Sequence, residues 1–323
     1  MLKEFTSISE LRIEWEALLN NANVNTIFTN PDWGGLWWEH FSEGKSWNGL
    51  YWEVNSHIVG IAPMCANQDD LTLIGNTETV DYNDFVVSPE YSEEFLNLVI
   101  DYFIDSEYGS LSLNSIPEHS LTYELLPKIA RSKNLDVTVN QEDVSPGITL
   151  PDSWETYLGN LNKKHRHELR RKLRRLEEVD DYKVEIISQS EQLQTYMNVF
   201  TGLMKMSRSE KMEYLTQEKE AFFGDISSMT SGKGFFKLFL MSIGDQYVSS
   251  SLCFDYNNQR LLYNSGNNHE FDYYSVGLLL HSFAIKDAIE HGMTYFDFLR
   301  GDEQYKYRLG GVDKLVYSIR ATK

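Results

Sequence analysis

The residues that decide the fold lie between Arg260 and Gly311. They begin with Arg260-Leu-Leu-Tyr-Asn-Ser-Gly266, continue with Tyr274-Ser-Val-Gly-Leu-Leu-Leu280, and end with Tyr295-Phe-Asp-Phe-Leu-Arg-Gly-Asp-Glu-Gln-Tyr-Lys-Tyr307. The first and third runs have the short apolar character of strands, and the middle run begins a helix. Because the first N–H groups of a helix have no partner within it, a strand that leads into a helix predicts an anion site. The polar residues after the last strand place titratable groups beside that site.

The order of elements predicts two domains that are built alike. At 323 residues the chain exceeds the usual size of one compact domain. In each half helices come first, antiparallel strands follow, and strands then alternate with helices. The second half opens with a basic helix that starts at the capping-box-like Asp152-Ser-Trp-Glu155 and runs to about Glu178. Prolines and glycine near residue 148 interrupt the pattern, so we expect an α/β (α+β) fold with a mixed sheet in each domain, the domains being residues 1–148 and 149–323.

The composition argues against several classes of protein. The formal net charge of −19 favours a soluble protein and disfavours general binding to DNA or to anionic membranes. The sequence shows no apolar run as long as a membrane span and no signal-peptide core, so we expect a cytoplasmic protein. Cys65 and Cys253 lie in apolar runs and are expected to be buried free thiols. His165 and His167 project to different sides of a helix and make a poor ligand pair, so no metal is expected.

One helix contradicts the acidic balance of the chain. Eight cations fall between residues 163 and 175, namely Lys163, Lys164, Arg166, Arg170, Arg171, Lys172, Arg174 and Arg175. Leucines recur every three or four residues along the same helix, so one face is buried and the cations lie elsewhere. A solvated face paired with Glu168, Glu177 and Glu178 is one explanation. An anion-binding face for a phosphorylated donor, a nucleotide-sugar acceptor or an RNA backbone is the other.

Three runs in the second half resemble a known family. They are Tyr157-Leu-Gly-Asn-Leu-Asn-Lys-Lys-His-Arg-His-Glu-Leu-Arg-Arg-Lys-Leu-Arg-Arg-Leu-Glu177, the run from Tyr274 to Leu280, and His291-Gly-Met-Thr-Tyr-Phe-Asp-Phe-Leu-Arg-Gly-Asp-Glu-Gln-Tyr-Lys-Tyr-Arg308. They resemble the acetyltransferase domain of CelD/BcsL-type proteins, which belong to the GNAT superfamily and are close in architecture to the FemAB aminoacyltransferases. The third run is the most specific, because such proteins typically show Asp-Phe-x-x-Gly-x-Glu-x-Tyr-Lys there. The resemblance implies two tandem GNAT-like (acyl-CoA N-acyltransferase) domains and acyl transfer from a thioester.

The resemblance also implies where an acyl-CoA donor binds. The strand around Leu261–Ser265 would align the pantetheine arm through its backbone, and the next helix start would hold the pyrophosphate. The implied donor-binding residues are Tyr263, Asn264, Ser265, Ser275, Val276, Gly277, Leu278 and Leu279. The turn departs from the usual Arg/Gln-x-x-Gly-x-Gly/Ala loop of the superfamily. Asp272 stands in place of the cation or amide, and Ser275 replaces the first glycine.

Polar residues after the third run suit acid/base chemistry. Amine acylation needs a base for the attacking ammonium, an acid for the departing thiolate and donors for the developing negative charge. The predicted catalytic residues are Glu303 as base, Tyr305 as acid, and Asp297. An ion pair of Asp297 with Arg300 or Lys306, which shapes the loop, is the alternative, and Tyr305 packing in the core is another. The predicted substrate-binding residues are Arg300, Asp302, Lys306, Arg166 and Arg170.

These features lead to one leading hypothesis and two alternatives. The leading hypothesis is an N-acyltransferase that moves an acetyl group from acetyl-CoA to an amino sugar or amino-acid-like amine by direct attack. A FemAB-like transferase that uses aminoacyl-tRNA is favoured by the basic helix and disfavoured by the net charge. A non-catalytic tandem protein that binds a metabolite or a partner is kept open by Asp272. The first domain is expected to be non-catalytic and to line the acceptor cleft; its candidate lining residues are Trp33, Trp37, Tyr82 and Asp84, with ordinary core as the alternative for the tryptophans.

Overall fold

The chain divides into two compact units. The computed structural model describes residues 1–189, 191–207 and 209–323. Unit 1 contains Met1–Val144 and Lys314–Lys323, and unit 2 contains Ser145–Asp313. This division differs from the predicted one at residue 148 in two ways. The boundary comes slightly earlier in the sequence, and the C-terminal segment is part of unit 1.

Unit 1 is built on an eight-stranded mixed sheet. Its strands are β1 (Lys3–Phe5), β2 (Ser46–Val54), β3 (His57–Asn67), β4 (Asp70–Leu73), β5 (Val86–Val87), β6 (Ser110–Pro117), β7 (Asp136–Val144) and β14 (Leu315–Thr322). Their order is β1-β2-β3-β4-β6-β14-β7, and β5 pairs with β3. β4 and β6 are parallel, whereas β14 pairs antiparallel with both of its neighbours. The last strand of the chain is therefore an inner strand of the first sheet.

Two helices of unit 1 begin at strong local signals, and the other two follow short 3-10 helices. They are α1 (Arg12–Leu19), α2 (Pro31–Phe41), α3 (Ser92–Asp105) and α4 (Leu121–Ser132), with short 3-10 helices at Ile8–Glu10, Ile27–Thr29 and Pro89–Tyr91. Pro31 is the first residue of α2, where its missing N–H costs nothing. Asn30 accepts a hydrogen bond from the N–H of Asp32, and Ser120 caps α4 in the same way. Helix α3 buries its apolar face in the core of the unit.

Unit 2 is built on a six-stranded mixed sheet. Its strands are β8 (Gly147–Thr149), β9 (Tyr182–Ile187), β10 (Phe236–Ile243), β11 (Gln246–Tyr256), β12 (Gln259–Asn267) and β13 (Tyr295–Asp297). They follow the order β8-β13-β12-β11-β10-β9. β12 and β13 are parallel and are joined through a helix, and the other neighbours are antiparallel. Each unit thus combines an antiparallel meander with one parallel pair.

The helices of unit 2 include the predicted basic helix in two pieces. They are α5 (Trp154–Asn160), α6 (Lys163–Glu177), α7 (Leu193–Ser207), α8 (Ser209–Tyr214), α9 (Gln217–Gly232), α10 (Val276–Glu290) and α11 (Gln304–Arg308), with a 3-10 helix at His269–Tyr274. The prediction of one long helix was wrong because Leu161 is extended (ψ 144°) and Asn162 starts a new helix. The side chain of Asn162 accepts a hydrogen bond of 2.9 Å from the N–H of His165. The leucines of α5 and α6 then pack with α10 in one core.

One close approach fixes β12 against the helices. A Cβ atom on Gly266 would lie 2.3 Å from the backbone nitrogen of Met204 in α7. Only glycine allows the helix backbone to pass so near the strand. The position of β12, which carries the candidate site, is therefore set by main-chain contact.

Candidate active site

Strands β12 and β13 separate and leave a free strand edge. They pair from Gln259 to Leu261 of β12, and in the described part of the chain the pairing stops there while β12 continues to Asn267. The predicted pantetheine-binding residues lie on this continuation: Tyr263, Asn264 and Ser265. The ring of Tyr263 packs against those of Phe223 and Phe254, at centroid distances of 5.6 and 5.4 Å. The strand therefore offers its backbone, whose N–H and C=O groups suit an extended ligand.

The turn before α10 has the shape expected of an anion site. Ser275 is left-handed, with φ 57° and ψ 41°, and directly precedes the helix. The other predicted pyrophosphate-binding residues form the first helical turn: Val276, Gly277, Leu278 and Leu279. Val276 and Leu279 are buried, so this turn presents backbone N–H groups rather than side chains. A Cβ atom on Gly277 would meet Asn267 Oδ1 at an ordinary 3.5 Å, so protein packing alone does not require glycine there.

Cations of α6 contact this turn. Lys172 Nζ donates a hydrogen bond to Ser275 Oγ. Arg175 donates to the carbonyl oxygen of Tyr273 at 2.8 Å, and its guanidinium lies 4.4 Å from the centroid of that ring. Asp272, the acid that departs from the superfamily pattern, accepts from His269 Nδ1 at 2.9 Å. Positive charge therefore reaches the turn from α6, although the turn itself carries an acid.

Lys306 holds the loop after β13. Its side chain is 1% exposed, and Nζ donates to the carbonyl oxygens of Leu299, Arg300 and Gly301 at 2.8, 2.6 and 3.0 Å. An ammonium has three protons, and these contacts use all of them. Lys306 was predicted to bind substrate, but no proton of its ammonium is left for a substrate. Its contacts instead hold the shape of the loop.

Glu303, the predicted base, lies beside this ammonium. Its Oε2 is 3.0 Å from Lys306 Nζ. Burial is the largest single influence and acts to raise the pKa of Glu303. The charge and hydrogen bond of Lys306, a backbone hydrogen bond and the charge of Lys211 together outweigh burial, so the pKa lies below its usual range. Glu303 is thus ionised at neutral pH, as a base must be, although a lowered pKa weakens it as a proton acceptor. A Cβ on Gly301 (φ 108°) would lie 2.6 Å from Glu303 Oε2, so the loop needs glycine here.

Asp297, the third predicted catalytic residue, ends β13. It is 3% exposed, and its Oδ1 accepts hydrogen bonds from the N–H of Leu299 at 2.8 Å and from Ser145 Oγ at 3.4 Å. Leu299 is left-handed, with φ 58°. The carboxylate therefore stabilises a tight turn at the strand end, in keeping with the loop-shaping alternative.

Tyr305, the predicted acid, packs against a buried histidine that sequence reasoning missed. The ring of His281 in α10 lies 4.8 Å from the ring of Tyr305, and its Nδ1 is 2.9 Å from Ser251 Oγ. Burial, together with the charges of Lys211 and Lys306, lowers the pKa of His281 to about 3, so the imidazole is neutral. Ser251 pairs in register with Ser265 on β12. This chain of contacts joins Tyr305 to the free strand edge.

Lys211 on α8 is a second missed residue. Its Nζ donates to Asn264 Oδ1 at 3.0 Å and to the carbonyl oxygen of Ser265. Lys211 also lowers the pKa values of Glu303 and His281, which places its charge at the same site. The polar triplet Ser249–Ser251 in a strand and a lone His281 in an apolar helix are the signals that point to this region; no comparable signal marks Lys211.

The remaining predicted substrate-binding residues lie apart from this cluster or at its surface. Arg166 donates to the carbonyl oxygens of Gly159 at 2.9 Å and Leu161 at 3.3 Å, so it caps the end of α5. Arg170 forms an exposed ion pair with Glu155 at 3.2 Å. Arg300 is half-buried and Asp302 is exposed, both on the loop that Lys306 holds.

The candidate lining residues of unit 1 belong to its core. Trp33, Trp37 and Asp84 share a crevice of about 10 Å³, which is room for about one water molecule. Burial raises the pKa of Asp84 to about 6, although the hydroxyls of Ser120 and Thr122 donate hydrogen bonds to the carboxylate and act to lower its pKa. The alternative of an ordinary aromatic core fits both tryptophans, and Tyr82 is buried nearby, its ring 6.4 Å from that of Phe28.

The two thiols are buried, and the described residues contain no group of side chains suited to a metal ion. Cys65 and Cys253 are buried free thiols, and burial raises the pKa of each. Within residues 1–189, 191–207 and 209–323, three or more His, Cys, Asp or Glu side chains are nowhere grouped to hold a metal ion. None of the helices in these ranges is both long and apolar enough to cross a membrane.

The residues that carry this geometry match a known family. Residues 163–307 match the acetyltransferase (GNAT) domain. The matched GNAT domain spans α6, the free edge of β12, the start of α10, and Glu303 and Tyr305. No curated protein sequence matches the chain.

Solved structures extend the likeness to the whole chain. FemX superposes with a TM-score of 0.66 at 14% identity, over 98% of this chain and 96% of FemX. L-PGS from Bacillus licheniformis gives 0.56 at 10% identity, over 98% and 93% of the two chains. A tandem GNAT protein from the clavulanic acid biosynthesis pathway gives 0.52 at 9% identity, over 99% and 98%. At such identities the likeness shows the fold, and with the GNAT match it confirms the predicted α/β class with tandem GNAT-like domains.

Proposed function

We propose that unit 2 transfers an acetyl or other acyl group from an acyl-CoA to an amine. The observation that carries the proposal is the open edge of β12 beyond Leu261, inside the matched GNAT domain. Ser251 and His281 connect this edge to Tyr305, and Lys211 contacts it directly. The backbone from Tyr263 to Ser265 suits a pantetheine arm, and the first turn of α10 suits a pyrophosphate. Pantetheine on this edge requires Lys211 to release the carbonyl oxygen of Ser265.

The proposed chemistry is direct attack by the amine on the thioester carbonyl carbon. A C–N bond forms, the C–S bond breaks, the nitrogen loses a proton and the sulfur gains one. The Glu303 carboxylate takes the proton and the Tyr305 hydroxyl supplies one. The Lys211 ammonium stands where it can stabilise the negative charge on the carbonyl oxygen. An acyl-cysteine route is disfavoured, because the buried thiols have raised pKa values and form little thiolate.

The finer features of the proposal rest on the sequence resemblance. Within the GNAT group, the runs at residues 157–177 and 291–308 resemble CelD/BcsL-type proteins, and an amino sugar or an amino-acid-like amine is the proposed acceptor. Asp297 and Lys306 are proposed to hold the catalytic loop, and Arg300 and Asp302 to face the acceptor. Unit 1 is proposed to be non-catalytic, and the protein to work in the cytoplasm.

Acetyl transfer is tested by thiol release from acetyl-CoA with a panel of amines, alongside thermal shift with acetyl-CoA. The proposal predicts stabilisation by acetyl-CoA that Gly277→Trp abolishes, since the indole fills the space at the first turn of α10. Gly202→Trp serves as a control, because a Cβ atom at Gly202 meets no neighbour within 4 Å and the residue lies in α7. Absence of any response to acetyl-CoA, propionyl-CoA and longer acyl-CoA would reject the acyl-CoA proposal.

Transfer from an aminoacyl-tRNA is the second candidate. It is favoured by the cations of α6, among them the exposed Lys163, Lys164 and Arg171, which suit a phosphodiester backbone. Binding of charged tRNA, with aminoacyl transfer to an amine and no response to acyl-CoA, is the result that would select it. Stabilisation by acetyl-CoA with no tRNA binding selects the first proposal.

A further inference from the structure

Helices α6 and α11 enclose a cleft that the proposed chemistry does not use. Its volume is about 350 Å³, within the range of cavities that hold small ligands. α6 contributes Lys164, His165 and Glu168, and α11 contributes Gln304, Tyr307 and Arg308. All six residues belong to unit 2. The cleft therefore offers cations and hydrogen-bond donors together, in a space large enough for a nucleotide-sized group.

Positive charge is concentrated along the wall that continues from the cleft. Burial lowers the pKa of Lys172, and the neighbouring charges of Arg171, Arg175 and Arg308 lower it further. Arg308 of α11 thus faces the same space as the arginines of α6. Glu168 is the carboxylate in the wall, and at 3.8 Å from Lys172 it offsets one of these cations. Such crowding of like charge favours an anion of more than one negative charge.

Side chains of α6 lead from the cleft to the turn before α10. Glu168 lines the cleft, and Lys172 lies one helical turn further along the same face of α6. Lys172 contacts Ser275 directly. A ligand in the cleft therefore has one end close to the first turn of α10.

We infer that this cleft binds the phosphorylated nucleotide end of a substrate, with Lys164 and Arg308 contacting phosphoryl groups. The inference rests on the proposed function, and it names the residues that recognise the nucleotide part of the donor. A nucleotide-linked acceptor presents the same chemistry, because it also carries a nucleoside with more than one phosphoryl group. Gln304 adds a neutral amide, and the ring of Tyr307 is held by a 2.8 Å hydrogen bond from its hydroxyl to Asp313.

Calorimetric titration of the full chain separates the two nucleotide sources. The probes are CoA, dephospho-CoA, adenosine 3′,5′-bisphosphate, UDP and a short single-stranded RNA, each at about 0.15 M salt. The test variant is Lys164→Ala/Arg308→Ala, in which both residues are exposed and line the cleft. The matched control is Lys163→Ala/Arg174→Ala, which removes the same charge from exposed positions of α6 outside the cleft.

The inference predicts an affinity for CoA about tenfold lower in the test variant and unchanged in the control. Weaker binding of dephospho-CoA than of CoA, with the difference lost in the test variant, assigns the cleft to the donor. If the test variant loses affinity for UDP and neither wild type nor any variant binds CoA, the cleft binds the nucleotide of an acceptor, and the acyl-CoA function is rejected. Equal affinities of both variants for every nucleotide overturn the inference even if acetyl transfer proceeds. Binding of RNA alone, with the same loss, overturns it in favour of a nucleic-acid surface.

Discussion

Burial keeps the ring of His281 neutral beside Tyr305, and this makes unit 2 sensitive to acid. The folded pKa is about 3, whereas an unfolded histidine titrates near about 6.5. The unfolded state therefore binds a proton that the folded state does not, so stability is full above about pH 6.5 and falls as the pH drops. Between about pH 7 and about pH 5, the free energy of unfolding of His281→Asn should fall by about 2 kcal/mol less than that of wild type. Urea unfolding at the two pH values measures the difference.

Comparing wild type with His281→Asn separates the pH-dependent contribution of His281 to stability from that of Asp84. The pKa of Asp84 is raised to about 6, so its contribution has the opposite sign and favours the folded state as the pH falls through about 6. Both proteins carry Asp84, and its contribution cancels. The same pH-dependent loss in wild type and His281→Asn would show that the imidazole is protonated in the folded protein.

Tyr305→Phe tests the proposed acid directly. Loss of the hydroxyl removes the proton source for the thiolate, so kcat should fall about a hundredfold while KM for acetyl-CoA stays within about twofold. The control is Tyr247→Phe, whose hydroxyl donates to Glu185 on the β9–β11 side of the sheet at 2.9 Å. Steady-state rates of thiol release give both constants. An unchanged kcat in Tyr305→Phe would leave the tyrosine with a packing role against His281.

The contrast between Glu303 and Lys211 shows how far residue chemistry can be inferred from sequence. Glu303, Tyr305 and Lys306 are close in sequence, so their proximity in space follows from chain connectivity. Lys211 and His281 reach the same cluster from distant elements. Their positions depend on the packing of α8 and α10 against the sheet, which no local pattern specifies. The sequence likewise did not show that Lys306 is buried, because a lysine in a polar run is usually solvated.

At the scale of elements, the loop between β13 and α11 depends on one buried cation. Lys306→Met leaves the carbonyl oxygens of Leu299, Arg300 and Gly301 without their donor and Glu303 without its ion pair. The free energy of unfolding should fall by about 3 kcal/mol. Lys286→Met is the control, since it removes an exposed pair with Glu290 at 3.8 Å and should cost less than about 1 kcal/mol. Similar losses in urea unfolding for the two variants would contradict the loop assignment.

Elements with strong local signals were predicted well, and those that depend on a single polar residue were not. In helix α2 (Pro31–Phe41), for example, proline marks the start and aromatic residues mark the buried face. The break between α5 and α6 was missed because the leucine spacing continues across Leu161. Asn162 was read as part of the helix, although asparagine is a strong N-cap. Periodicity locates the buried face of a helix but does not show where one helix ends and the next begins.

At the scale of the whole molecule, the pairing of β14 could not be predicted from alternation of residues. The residue pattern in Lys314–Arg320 is typical of a strand, but a strand pattern does not specify its partner. We assigned it to the second domain because it follows that domain in sequence. The structure instead pairs β14 with β6 and β7 of unit 1. The order of elements thus predicted the repeated fold, but not that the chain returns from unit 2 to complete the sheet of unit 1.

This pairing predicts that the C-terminal strand is required by the domain that begins the chain. Removing residues 314–323 deletes an inner strand, which leaves β6 and β7 with exposed ladder groups and takes the side chains of Ile319 and Ala321 out of the core. Unit 1 should then unfold at a lower temperature or fail to fold, as seen by calorimetry and by rapid proteolysis within residues 1–144. Arg320→Ala, which removes the hydrogen bonds to Ser110 and Ser112 and a 3.8 Å ion pair with Asp70, is the control and should change the transition little. An unchanged protease pattern in unit 1 after truncation would mean that β6 and β7 close the sheet without β14. The pairing of β14 with β6 and β7 would then be dispensable for the folding of unit 1.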